Sequence, residues 1–212
     1  MRYRARVRPT LFTFDIFGTV LDWKRGVAEA VGRPLDDAAF DRVVDHQGRA
    51  EQAHPDRPYR AVVADSLVAE LAVPRRDAEE IGAGAGRWPL FVDAAAGLRR
   101  LQAIAPCAAT TNSDRAHGEQ VQEQLGFRLS HWLCAEEIGC YKPSRAVWEE
   151  AARRLGAPLD RSWWHVSAYA DYDLEVARAL GLTTVLVERP HCRRGAADVV
   201  VPDLLALAER VA

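Results

Sequence analysis

Two kinds of hydrophobic pattern divide this chain. After residue 90, short apolar runs rich in β-formers alternate with segments whose apolar residues recur every three or four positions. That alternation predicts parallel strands joined by crossover helices. Residues 10–15, 107–112, 163–167, 183–187 and 199–201 read as strands, with 130–135 a short extended piece. Residues 94–104, 118–125, 144–155, 174–180 and 203–211 read as helices. Between about residue 23 and residue 90 the alternation stops. There 27–31, 38–53, 59–71 and 75–81 carry helical spacing, with breaks at Gly32-Arg33-Pro34, around Pro55 and Pro58, and at Val73-Pro74. The pattern predicts an α/β fold. Its core is a Rossmann-like parallel sheet, residues 1–22 and 90–212, with a helical cap, residues 23–89, inserted after the first strand. The glycines between Gly82 and Gly86 predict a hinge where the cap rejoins the core.

Composition narrows the class. The chain has 212 residues, 49% hydrophobic and 27% charged, which is ordinary for a globular protein. A net charge of −2 implies no general affinity for nucleic acid or an anionic membrane. No apolar stretch approaches the length of a membrane span. The basic stretch from Met1 to Arg8 is followed by no apolar h-region, so it is not expected to be a secretory signal. Cys107, Cys134, Cys140 and Cys192 are widely spread, which predicts a reduced, cytoplasmic protein. His131, Cys134, Cys140, His191 and Cys192 contain no compact C-x-x-C pair, and no metal site is expected from them.

Four polar clusters follow predicted strands, all at the edge of the sheet where open α/β folds bind ligands. In Phe14-Asp15-Ile16-Phe17-Gly18-Thr19 an apolar run ends in a carboxylate, and a Gly-Thr turn follows. Asp15 is placed to attack an electrophilic carbon or phosphorus and form an ester. The Thr19 hydroxyl can bind a carboxylate or a substrate anion. Thr110-Thr111-Asn112-Ser113-Asp114 offers hydroxyl and amide groups for an anion. Lys142, just before Pro143-Ser144, supplies a cation to keep Asp15 ionised. The fourth cluster, Ser167 through Asp173, offers a second carboxylate, Asp173 or Asp171, to activate water.

As a set these motifs resemble those of the haloacid dehalogenase superfamily, with the helical insertion as the family's cap. Phosphatases of the superfamily carry an acid two residues after the nucleophile, which protonates the leaving alkoxide. Here that place holds Phe17. The 2-haloacid dehalogenases place an aromatic there, more often tyrosine, because halide leaves without a proton. The resemblance therefore implies an (S)-2-haloacid dehalogenase-like hydrolase acting on a small anionic substrate. Asp15 would be the nucleophile, Lys142 its partner and Asp173 the base for ester hydrolysis, preferred over Asp171 on its spacing to Ala177 and Gly181. Thr19, Phe17, Thr111, Asn112 and Trp148 would line the substrate or halide site. A cap arginine would help to hold the halide: Arg49 by its distance from Asp15, with Arg57 and Arg60 as alternatives. No cofactor is implied, and a homodimer is the common assembly of the family. The chain also departs from the pattern. Ala168 and Ala170 stand where dehalogenases have Ser and Asn, and Trp148 where they have a tyrosine. A magnesium-dependent phosphatase of small phosphomonoesters and a catalytically weak relative are the competing readings. Ala168 weakens the former, because it occupies the usual place of a magnesium-binding Asp.

Overall fold

The computed structural model describes residues 8–212, and the basic residues 1–7 lie outside the described residues. Strands β1 (Leu11–Phe14), β2 (Cys107–Thr111), β3 (His131–Cys134), β4 (Trp163–Ser167), β5 (Thr183–Val187) and β6 (Val199–Val201) form one sheet. Their order is β3-β2-β1-β4-β5-β6, and every pairing is parallel. All residues of β1, β2, β4 and β5 are buried. A strand covered on both faces has no polar face to show, which is why these four read as continuous runs.

Side chains alternate between the two faces of each strand, and each face has its own core. Phe12, Phe14, Trp164 and Val166 belong to the larger core, with Leu98 and Leu101 of α5 (Ala94–Gln102), Val121 and Leu125 of α6 (Arg115–Leu125), and Leu204 and Leu207 of α10 (Leu204–Val211). Leu11 and Trp163 point the other way, onto Val147, Trp148 and Ala151 of α8 (Arg145–Leu155) and Ala177 of α9 (Glu175–Ala179). A short helix, α7 (Ala135–Ile138), follows β3 where an extended piece is expected to run on. The helix expected over residues 174–180 is α9, one residue shorter at each end. A π-helical turn, Ala170–Leu174, precedes α9 and carries Asp173.

Four helices lie between β1 and α5: α1 (Trp23–Ala30), α2 (Asp37–Ala53), α3 (Tyr59–Leu71) and α4 (Arg75–Ala83). Asp22 and Asp36 cap α1 and α2 by accepting from the Arg25 and Ala39 amides. The segment after α4 is not a hinge. Gly82, Ala85 and Gly86 are buried, and an added Cβ at Gly82 would lie 2.3 Å from the Arg60 carbonyl oxygen. The carbonyls of Gly82, Ala83 and Gly86 accept bonds from His117, Gln120 and Gln124 of α6. Glycine serves close packing here, Gly82 against Arg60 of α3 and Gly86 against the His117 carbonyl of α6. Among the described residues no helix is long and apolar enough to cross a membrane.

Candidate active site

Strand order reverses direction between β1 and β4, and at such a switch point the crossover helices diverge and leave a crevice at the strands' carboxyl ends. Asp15 follows β1 there, its amide donating to the Val166 carbonyl of β4 at 3.0 Å. Gly18 then turns the chain with φ of +86°, and a Cβ at that position would lie 2.5 Å from the Tyr169 ring. Only glycine fits this turn. The turn brings the Thr19 hydroxyl back to donate to Asp15 Oδ2 at 2.8 Å, while Thr19 Oγ1 itself accepts the Ala168 amide at 2.9 Å. Thr19 is fully buried and does not line the cavity. Of the two partners expected for its hydroxyl, a carboxylate or a substrate anion, it meets the carboxylate of Asp15. Arg189 holds the Thr19 carbonyl and forms a two-pronged ion pair with Asp93, so the turn is anchored from two further places.

Lys142 reaches Asp15 from the loop before α8. Its Nζ donates to Asp15 Oδ1 at 3.0 Å and to Asp173 Oδ2 at 2.8 Å, and all three side chains are buried. The other Asp173 oxygen lies 3.0 Å from Nε2 of His165, also buried. Behind it, the Trp163 indole donates to Thr13 Oγ1, which lies 2.8 Å from His165 Nδ1. The Thr13 proton is then free for Nδ1, which leaves the ring proton on Nε2, facing Asp173. Burial raises the Asp15 carboxyl, and Asp173 raises it further, against the pull of Lys142 and Thr19. Burial also acts to raise Asp173, but Lys142 and His165 hold it well below the usual carboxylate range. Burial acts to lower Lys142, yet the two carboxylates leave it raised. One cation shared by two carboxylates titrates as a unit, with Asp15 the partner that accepts the first proton.

A cavity of about 340 Å³ opens over Asp15, lined by residues of both core and cap. It brings together Asp15, Phe17, Arg49, Thr111, Asn112 and Lys142. Phe17 packs against Trp23, Tyr59, Trp88 and His117, with ring centroids 5.2 to 6.3 Å apart. The Thr111 hydroxyl is buried without a partner. Asn112 has its donors committed: Nδ2 gives to Glu51 Oε2 at 2.8 Å and to the Lys142 carbonyl at 3.1 Å, while Oδ1 accepts the Lys142 amide at 2.8 Å. It clasps the Lys142 loop to the cap and has no proton left for a ligand. Arg57 pairs with Asp65 and Arg60 with Asp114, both away from the cavity.

Two expected site residues lie elsewhere. Trp148 is wholly buried in the core under β4, with its ring edge-on to His165 at 4.5 Å, and does not reach the cavity. With Val147 and Ala151 it forms the buried face of α8, so the amphipathic period of that helix was the signal for a core position. Asp173 does not line the cavity either. It is buried behind Lys142, which it shares with Asp15, and beside His165. Sequence reasoning missed Glu51, Gln47, Tyr59 and Tyr172 in the lining, and Arg193, which joins Asp171 at 3.4 Å to Asp45 of α2 at 2.6 Å. The Arg193-Arg194 pair before Gly195 was the one local signal for this contact.

The donors do not fit a magnesium ion. Beside Asp15 stand Phe17 and Ala168, and no group of three or more His, Cys, Asp or Glu residues converges among the described residues. The His131, Cys134, Cys140, His191 and Cys192 set does not assemble into one either.

Residues 9–181 match a family model described as a hydrolase, haloacid dehalogenase-like hydrolase. Among solved structures, an L-2-haloacid dehalogenase is 27% identical with a TM-score of 0.79, over 96% of this chain and 100% of that one. The L-2-haloacid dehalogenase of Xanthobacter autotrophicus with chloropropionic acid covalently bound is 16% identical with a TM-score of 0.79, over 96% and 98%. A HAD-hydrolase of Bacillus subtilis bound to magnesium is 15% identical with a TM-score of 0.76, over 96% and 99%. No curated protein matches the chain.

Proposed function

As this chain belongs to the haloacid dehalogenase-like hydrolases, we propose that it cleaves the carbon–halogen bond of a small (S)-2-haloacid through an ester on Asp15. The observation that carries this reading is Phe17. It lines the cavity beside the nucleophile and is locked into an aromatic cluster, so no acid stands there to protonate an alkoxide. A halide needs none. Lys142 and Thr19 fix the two Asp15 oxygens for attack on the carbon bearing the halogen, which inverts that centre. Thr111, whose hydroxyl is unpartnered, and Arg49 line the cavity and would receive the carboxylate and the departing halide. Asp173 holds Lys142 from behind, with His165 beside its other oxygen. A dehalogenase of the same fold that carries chloropropionic acid covalently bound supports the ester.

The test is halide release from a panel of 2-chloro and 2-bromo acids of both configurations, with and without a chelator, beside a generic phosphomonoester. Chelator-insensitive release from S acids is expected, and Asp15→Asn should abolish it in a protein that still folds. Phosphate release that depends on magnesium, with no halide from any acid, would replace this reading with the phosphatase.

A further inference from the structure

The two oxygens of Asp173 have unlike surroundings. Oδ2 accepts from the Lys142 ammonium at 2.8 Å, and the same ammonium reaches Asp15 Oδ1 at 3.0 Å. Oδ1 has no straight hydrogen bond, and Nε2 of His165 stands 3.0 Å from it. Ala168 and Ala170, in the turn that leads to Asp173, have no side-chain donor to offer.

His165 is itself held firmly. It lies in the middle of β4, in register with Thr13 of β1 and Thr184 of β5, and its side chain is wholly buried. Its Nδ1 lies 2.8 Å from the Thr13 hydroxyl, and the Trp148 ring stands edge-on to the imidazole at 4.5 Å. Thr13 Oγ1 already accepts the Trp163 indole, and its own proton has no other acceptor among the described residues. Nδ1 is therefore the acceptor, and the imidazole carries its proton on Nε2, toward Asp173.

We propose that His165 is a positioning residue for ester hydrolysis, its Nε2 proton setting the plane of the Asp173 carboxylate. The role rests on the dehalogenase reading, with Asp173 as the base for the Asp15 ester. A water gives one proton to Asp173 as its oxygen adds to the ester carbonyl carbon, and the carbonyl electron pair moves onto oxygen. Collapse breaks the bond from that carbon to the substrate oxygen, which takes the proton from Asp173 and leaves as a 2-hydroxy acid. The second water proton remains on Asp15 and is lost to solvent. An ammonium is a point charge: it grips one carboxylate oxygen and leaves the group free to turn about that contact. Once Asp15 is esterified, Lys142 alone does not orient the base. The contact at Oδ1 removes that freedom.

Two measurements decide the matter. With a 2-chloro acid, His165→Leu should slow turnover by roughly 10- to 100-fold. Halide should still appear in a first burst, and a mass increase should accumulate on the peptide carrying Asp15. His165→Gln, whose amide reaches toward the place of Nε2, should recover most of the rate. Equal rates in the two variants, or a slow His165→Leu that holds no ester, overturn the proposal, because the side chain would then only fill the core. The second measurement needs neither variant to fold. In the NMR spectrum of the protein labelled with heavy nitrogen at its histidines, His165 should carry a proton on Nε2, and that resonance should move in Asp173→Asn. A bare Nε2 overturns the proposal. A wild-type protein that releases no halide ends the dehalogenase reading instead, and the nitrogen spectrum still decides whether His165 holds Asp173.

Discussion

At the scale of single residues, the site is a set of small obligations. Gly18 must be glycine because its φ of +86° and the Tyr169 ring leave no room for a Cβ. Gly18→Ala should cost roughly 2–4 kcal/mol, from left-handed strain and overpacking together, read as a lower denaturation midpoint. Glu51 makes a separate prediction about stability. An unfolded glutamate loses its proton near pH 4.5, whereas folding keeps it to about 8. Between those values the folded state binds more protons, so stability falls as pH rises through the window and levels off above it. Glu51→Gln removes this slope. The variant should gain on the wild type from pH 4.5 to 8, by on the order of a few kcal/mol at the top. Parallel denaturation series at several pH values check this, and parallel slopes for the two proteins would refute it.

At the scale of elements, α3 shows why some of the molecule was legible in the chain and some was not. Its span, residues 59–71, follows from its apolar pattern and the Pro58 before it. Its cap does not. Pro58 offers no side-chain acceptor, and the amides of the first turn that lack a helical partner are met by Asp114, 55 residues from Tyr59. Asp114 accepts the Tyr59 amide at 2.7 Å and the Arg60 amide at 3.1 Å. The same carboxylate opens α6 in a capping box with His117, which starts that helix at Arg115 rather than at the Gly118 its apolar pattern suggests. Buried strands and amphipathic helices are written in local periodicity. Partners that meet only after folding are not, and Glu51, His165 and Arg193 join Asp114 in that class. Asp15 and Asp173 were legible because each follows a strand, and Lys142 because a lone cation precedes the Pro-Ser start of α8, although α7 separates it from β3. The burial of Asp173 beside His165 was not, since spacing does not reveal what seals a carboxylate from solvent. Asp114→Ala should cost about 2–4 kcal/mol and expose the Tyr59 and Arg60 amides to hydrogen exchange, whereas Arg60→Ala should cost under about 1 kcal/mol.

At the scale of the whole molecule, cap and core are joined at several unlike places. Asp114 holds α3, His117 holds Gly82, the Asn112 amide holds Glu51, and Arg193 spans from Asp171 to Asp45. The first three are buried or partly buried and directional. The Arg193 pairs stand at half-exposed aspartates, where salt screens them. The tight seam therefore lies on the β2 side of the cavity, and the weaker closure on the β4 side, at the mouth framed by Arg193. Substrate entry and product exit are expected past that guanidinium.

The aromatic wall around Phe17 makes the chemistry visible to light. Of the six tryptophans in the chain, Trp23 lines the cavity, its indole edge-on to Phe17 and close to Tyr169. A heavy halide set free there collides with an excited indole and quenches its emission, far more for iodide or bromide than for chloride. During turnover of a 2-iodo acid, tryptophan fluorescence should dip as halide is released and recover as it escapes to solvent. A 2-chloro acid should give no such dip, and Trp23→Phe should erase it, so the protein carries its own stopwatch for halide departure.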